Sequence, residues 1–108
     1  MTIELFKGLA EPIRLRIAIL LLDQELCVCD LMAVLKLPQS TVSRHMSRMK
    51  ALGLVIDRRN GKWVHYRLDN SPLVNELRSF LRRNYAGFNP YRNDLKMLKK
   101  YMATSKCA

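Results

Sequence analysis

Hydrophobic residues run along this chain in two rhythms, and the change falls between residues 52 and 54. Before it, apolar positions recur every three or four residues, as helices require; after it they alternate for a stretch, as strands do. Ile3, Leu5, Phe6 and Leu9 mark a short first helix. Glu11-Pro12 restarts the chain with proline at the first helical position, where its missing N–H costs nothing. The following IRLRIAILLL is apolar around most of its circumference, which predicts a helix sunk in the core. A third helix over residues 28 to 35 turns Val28, Leu31, Met32 and Leu35 inward, and Lys36-Leu37-Pro38 breaks it. The fourth runs from about Gln39 to Leu52 and stops at Gly53, a left-handed cap. Val42, Met46 and Met49 form its apolar stripe, and hydroxyls and cations fill the rest of its surface.

Then the period becomes two. LVIDRR and KWVHYRL flank Asn60-Gly61, a dipeptide that favours a tight hairpin turn. The hairpin carries a basic tip: Arg58, Arg59 and Lys62. Ser71-Pro72 caps another helix with a wide apolar stripe from Leu73 to Tyr85, and Asn89-Pro90 starts a last one bearing Tyr91, Leu95, Leu98 and Met102. Helix, breaker, polar-faced basic helix and basic-tipped hairpin, in that order, predict a mainly α winged helix-turn-helix with a small β-hairpin. The helix-turn-helix spans about residues 28–52 and the wing 54–68, within a unit of residues 1–86; residues 87–108 form a carboxyl-terminal helix and tail.

Charge gives this order a partner. The 108 residues suffice for one core, and 19 Lys+Arg against 9 Asp+Glu leave a net charge of +10, which predicts an anionic macromolecule. Double-stranded DNA fits the helix and wing. Gln39, Ser40, Thr41, Ser43 and Arg44, near the start of the fourth helix, would face base edges; His45 and Arg48 would approach the backbone. Arg58, Arg59 and Lys62 would meet phosphate or the minor groove. The apolar stripes of the first and last helices exceed what a small core can cover, which predicts a homodimer formed through them on an inverted repeat. No apolar run approaches the ~20 residues of a membrane span, and the amino terminus lacks the pattern of a signal peptide. Three cysteines, two of them one residue apart, predict free thiols in a reducing, cytoplasmic setting.

Those two cysteines stand in ELCVCDLM, Cys27 at the expected N-cap of the third helix and Cys29 in its first turn. On a straight helix, residues two apart point to nearly opposite sides, since each step turns by about 100°. Such thiols cannot share a ligand unless the turn unwinds. The helix N-terminus is expected to lower their pKa and favour thiolates.

ELCVCDL, SRH in the fourth helix and GLVIDRRNGKWVHYRL in the wing together resemble the arsenical-resistance operon repressor family (ArsR/SmtB), from about Leu5 through Leu68. The resemblance implies a homodimeric repressor that needs no cofactor and releases its operator when As(III) or Sb(III), the inducer, binds Cys27 and Cys29. Unwinding of the first turn of the third helix, next to the recognition helix, would be the switch. The chain departs from the family pattern at Met32, where a third cysteine stands. Either two thiolates suffice, with water, hydroxide or a buffer anion completing the site, or Cys107 supplies the third ligand. Pro38 and Ser40 also depart, so operator preference does not carry over. The family's zinc and nickel sites use histidines on the last helix, whereas His45 and His65 both fall in the DNA-binding half. Three alternatives stay open: an oxidant-sensing repressor, a CxC thiol enzyme, and an architectural DNA binder whose cysteines only pack.

Overall fold

The computed structural model describes residues 2–104. Two short helices, α1 (Thr2–Leu9) and α2 (Pro12–Leu20), lead through a two-residue strand β1 (Leu26–Cys27) into α3 (Val28–Leu35) and α4 (Gln39–Ala51). The hairpin β2 (Val55–Asn60) and β3 (Trp63–Leu68) follows, then α5 (Pro72–Asn84) and α6 (Tyr91–Thr104). Local chemistry sets most of these ends. The Glu11 carboxylate accepts the Arg14 N–H at 2.9 Å and caps α2; the Ser71 hydroxyl accepts the Val74 N–H at 3.3 Å and caps α5. Lys36, left-handed at φ 58°, closes α3, and Gly53 at φ 80° follows α4.

α2 is the core helix that its sequence predicts: its last four residues, Ile17 to Leu20, are all buried, as are Leu21 and Leu22 just after it. Around it lie Leu26, Leu31, Val42, Met46, Met49, Leu54 and Val55, each almost wholly removed from water. The sheet has three strands, not two. β1 lies antiparallel to β3, Leu26 opposite Tyr66 and Cys27 opposite His65, and β2 flanks the other edge of β3. A two-residue strand is too short to show alternation, so the hydrophobic pattern could not announce it. The hairpin turn is also shifted by one residue. Asn60 pairs with Trp63, so Gly61 and Lys62 make the turn, with the positive φ at Gly61 alone, as a II′ turn requires.

The larger correction concerns α6. Part of its apolar stripe is used within the chain: Leu98 is buried in the same core, with Leu95 and Tyr91 half-buried beside it. α6 packs on α2 and α3. Asp94, buried on that face, receives both arms of the Arg16 guanidinium, Nε to Oδ2 and Nη2 to Oδ1, each at 2.8 Å. Large apolar side chains open to water are Ile3 and Phe6 on α1, Phe80 on α5 and Phe88 between α5 and α6, at 64%, 57%, 46% and 65% exposed, with Met97 on α6 at 37%. No helix among the described residues is long and apolar enough to cross a membrane.

Candidate functional site

The polar face of α4 is free over most of its length because the helix meets the core through one stripe, Val42, Met46 and Met49 with His45 beside them. Gln39, Ser40, Arg44 and Arg48 are exposed, and Thr41 and Ser43 are half-buried at its edge. His45 is not on that surface. It is buried on the inner side, 3.2 Å from Arg14 and 3.9 Å from Glu11 through Nδ1, so its expected contact with a DNA backbone is corrected to an internal one. Spacing gives the reason: His45 lies three residues after Val42 and four before Met49, which completes the inward stripe of a helix.

On the wing, Arg58, Arg59 and Lys62 are all exposed. They are not equivalent. Arg58 is held by Glu25, whose carboxylate accepts from Nε at 2.8 and 2.9 Å and from Nη2 at 2.6 Å. Lys62 Nζ stands 5.7 Å from the centroid of the Trp63 ring. Lys50 reaches Asp57 at 3.0 Å and fastens the end of α4 to β2. Recognition helix and wing therefore share one framework.

Between them and α3 opens a cavity of about 360 Å³, lined by Cys29, Met32, Gln39, Ser43, Trp63 and Tyr66 among others. Its Cys29 wall is half of the candidate ligand site. The Cys27 and Cys29 sulfurs lie 3.6 Å apart. The expectation that the spacing keeps them separate fails because Cys27 is not helical. It is extended (φ −90°, ψ 167°), and the strand-to-helix corner swings its side chain toward Cys29. Two thiolates on one tetrahedral ion, with bonds of about 2.3 Å, stand about 3.8 Å apart. The present separation needs no unwinding to match that.

Asp30 is the residue that sequence reasoning missed. Its carboxylate accepts the Cys27 N–H at 2.9 Å and its own amide faces back toward the Cys27 sulfur, a capping box with a thiol in place of a hydroxyl. The signal was present as Cys-x-x-Asp. Cys27, Cys29 and Asp30 bring their ligand atoms within 4.8 Å of one another. Two soft sulfurs dominate this set, which suits a thiophilic centre better than a hard cation. The thiol of Cys27 is free and buried. Burial pushes its pKa up, and the Asp30 carboxylate adds to this against the pull of nearby amides, so the expected lowering by the helix N-terminus is reversed. Any ion held here must displace that proton. Cys29 is disulfide-bonded, so the expectation of free thiols is corrected for this residue, and a reductant must open the bond before its sulfur can serve as a ligand. The third candidate ligand, Cys107, lies outside the described residues.

Three helices, a winged hairpin and a polar-faced second helix of the turn define a winged helix-turn-helix protein. The profile of the bacterial regulatory proteins of the arsR family matches residues 11–57. The chain is 52% identical over 67 residues to the arsenical resistance operon repressor of Escherichia coli, a match covering 61% of this chain and 57% of that protein. Among solved structures, HlyU from Vibrio cholerae superposes with a TM-score of 0.74 at 36% identity, over 79% of this chain and 91% of HlyU. A homodimeric winged helix-turn-helix DNA-binding domain from Mycobacterium bovis does so at 0.68 and 28% identity, over 76% of this chain and 75% of that one. This chain belongs to the ArsR family of regulatory proteins. It spans little more than half the length of the Escherichia coli repressor that it matches.

Proposed function

We propose that this chain is a metalloid-responsive transcriptional repressor that binds operator DNA as a homodimer and leaves it when As(III) or Sb(III) is held by Cys27 and Cys29. The observation that carries the reading is the position of the two sulfurs. They sit 3.6 Å apart at a corner joined to both DNA-binding elements. Cys27 is paired with His65 of the wing strand β3, and Cys29 lies in the first turn of α3, which packs on α4. Loss of the Cys27 proton and of its cap contact with Asp30 when an ion binds would be passed to the wing through the β1–β3 ladder and to the recognition helix through α3. Gln39, Ser40, Thr41, Ser43 and Arg44 serve as base readers; Arg48, Arg59 and Lys62 meet phosphate. The dimer contact is assigned to α1 and α5, where Phe6 and Phe80 are exposed along one groove with Leu73 and Leu77. A two-fold pair of this kind suits an inverted repeat.

The test is titration of a protein–operator complex, first reduced and then freed of excess reductant without air, with arsenite, antimonite and peroxide in separate samples. Cys27→Ser and Cys29→Ser should keep operator binding, since a hydroxyl caps the helix as a thiol does, but lose release by arsenite. Release from the double mutant would sink the reading. Release by peroxide alone would favour the oxidant-sensing alternative, for which two sulfurs this close are also suited. Cys107→Ser should alter the response modestly; complete loss would make Cys107 a ligand.

A further inference from the structure

His45 lies on the recognition helix yet points away from the DNA face, into a junction of three helices. Arg14 organises that junction. Its Nε donates to the carbonyl of Gly8 in α1 at 2.7 Å, and its Nη1 stands 3.2 Å from His45 Nδ1 in α4. Its own backbone N–H donates to Glu11, whose Oε1 is 3.9 Å from the same imidazole nitrogen. A guanidinium has only donors and keeps its proton at any ordinary pH. His45 Nδ1 therefore has to offer a lone pair, which puts the ring proton on Nε2 and makes the imidazole neutral.

We infer that His45 is a positioning residue for operator recognition: as a neutral acceptor from Arg14 it fixes the seat of the recognition helix against the α1–α2 corner. The inference rests on the operator-binding reading and adds a condition to it. A proton at Nδ1 removes the acceptor and sets a second cation against the Arg14 guanidinium. The charged groups that face the ring are Glu11 and Arg14 from the α2 start and Arg44 from its own helix. The single carboxylate does not balance two guanidinium groups. Burial pushes His45 below the ordinary histidine range, Arg14 and Arg44 act in the same direction, and Glu11 opposes them. The seated arrangement thus favours the unprotonated ring. Its contribution is complete at neutral pH and is lost as the pH falls through that lowered value.

The experiment measures affinity for an operator that the protein has selected from random duplexes, and for random DNA, from about pH 7.5 down to about pH 5. Wild type should lose roughly tenfold or more for operator, as breaking a hydrogen bond to a charged group implies, and less for random DNA. His45→Ala should be weak throughout. His45→Gln, a non-titrating acceptor, should recover part of the affinity and show a flat profile over the same range. His65→Gln should keep the acid loss. An unchanged acid loss in His45→Gln, or its disappearance in His65→Gln, overturns the inference. Should the His45 variants fail to fold, imidazole nitrogen NMR of wild type decides: a proton on Nδ1 at about pH 7.5 overturns it, and a bare Nδ1 supports it. Operator preference with a flat wild-type profile defeats this inference alone; absence of any operator preference at neutral pH defeats the repressor reading.

Discussion

The recognition helix α4 and the carboxyl-terminal helix α6 are 13 and 14 residues long, both amphipathic and both basic, yet they are held by opposite means. α4 is seated by three fully buried apolar residues, and its polar inner partner, His45, meets a group at the α1–α2 corner. α6 sinks one fully buried apolar side chain, Leu98, and relies on Asp94 clasped by Arg16. Apolar packing tolerates small shifts, whereas a two-pronged ion pair fixes register and fails abruptly when one partner is removed. The comparison also separates charge from its use. Arg92, Lys96, Lys99 and Lys100 give α6 as many cations as α4 has in Arg44, Arg48 and Lys50, and one more, but only α4 stands in the helix-turn-helix position beside the wing.

The largest effect expected from breaking this contrast is on stability. Asp94→Ala leaves Arg16 without its partner and α6 without its clasp. Removal of one member of a buried pair costs about 3–5 kcal/mol; with Arg16 partly reached by water, about 2–3 kcal/mol is expected here. Urea unfolding measures it. Replacing both partners, Arg16→Met with Asp94→Leu, should recover most of the loss, because the desolvation cost of the charges disappears with them. A single mutant as stable as wild type would show that apolar contact alone seats α6.

A smaller effect separates the two cationic faces. Arg44→Ala on α4 should cost about 1–3 kcal/mol of operator affinity and relax sequence preference, as removal of a base reader does. Lys99→Ala on α6 should change operator affinity by at most about 0.5 kcal/mol, as a surface cation away from the duplex would. Equal losses from both would extend the DNA-binding face to α6.

How much of this was legible follows from where each signal lives. The ends of α2, α3, α4 and α5 were readable because caps are local: Glu11 ahead of Pro12, Pro38 after α3, Gly53 after α4, Ser71 ahead of Pro72. The helix-turn-helix and wing followed from their order. The seat of α6 was not readable, because Arg16 and Asp94 are 78 residues apart and neither position is unusual in its own helix. The close approach of Cys27 and Cys29 was hidden for another reason. Cys27 is the N-cap and Cys29 lies in the first turn, as the sequence reads, but an N-cap is extended, so 100° helical steps do not separate the two side chains. His45 is the instructive miss: the spacing with Val42, Met46 and Met49 placed it inward, and its polarity argued for the surface. The proposed dimer face draws on α1, where Ile3 and Phe6 are exposed, and on α5, where Phe80 is.

The smallest effect tests the wing, where one cation is paired and another has no carboxylate partner among the described residues. Glu25 already holds Arg58, so a phosphate must compete with that carboxylate, whereas Lys62 faces the ring of Trp63. The readout is the slope of log affinity against log salt, which becomes shallower by about 0.9 for each phosphate that the protein no longer neutralises. Lys62→Ala should reduce that slope by about one on operator and random DNA alike. Arg58→Ala should reduce it by clearly less, because the charge that it removes was already balanced by Glu25, close ahead of Cys27 in the chain. Should both mutants change the slope equally, Arg58 leaves Glu25 on binding DNA, and the strand that carries Cys27 is then released from the wing tip at the moment the operator is engaged.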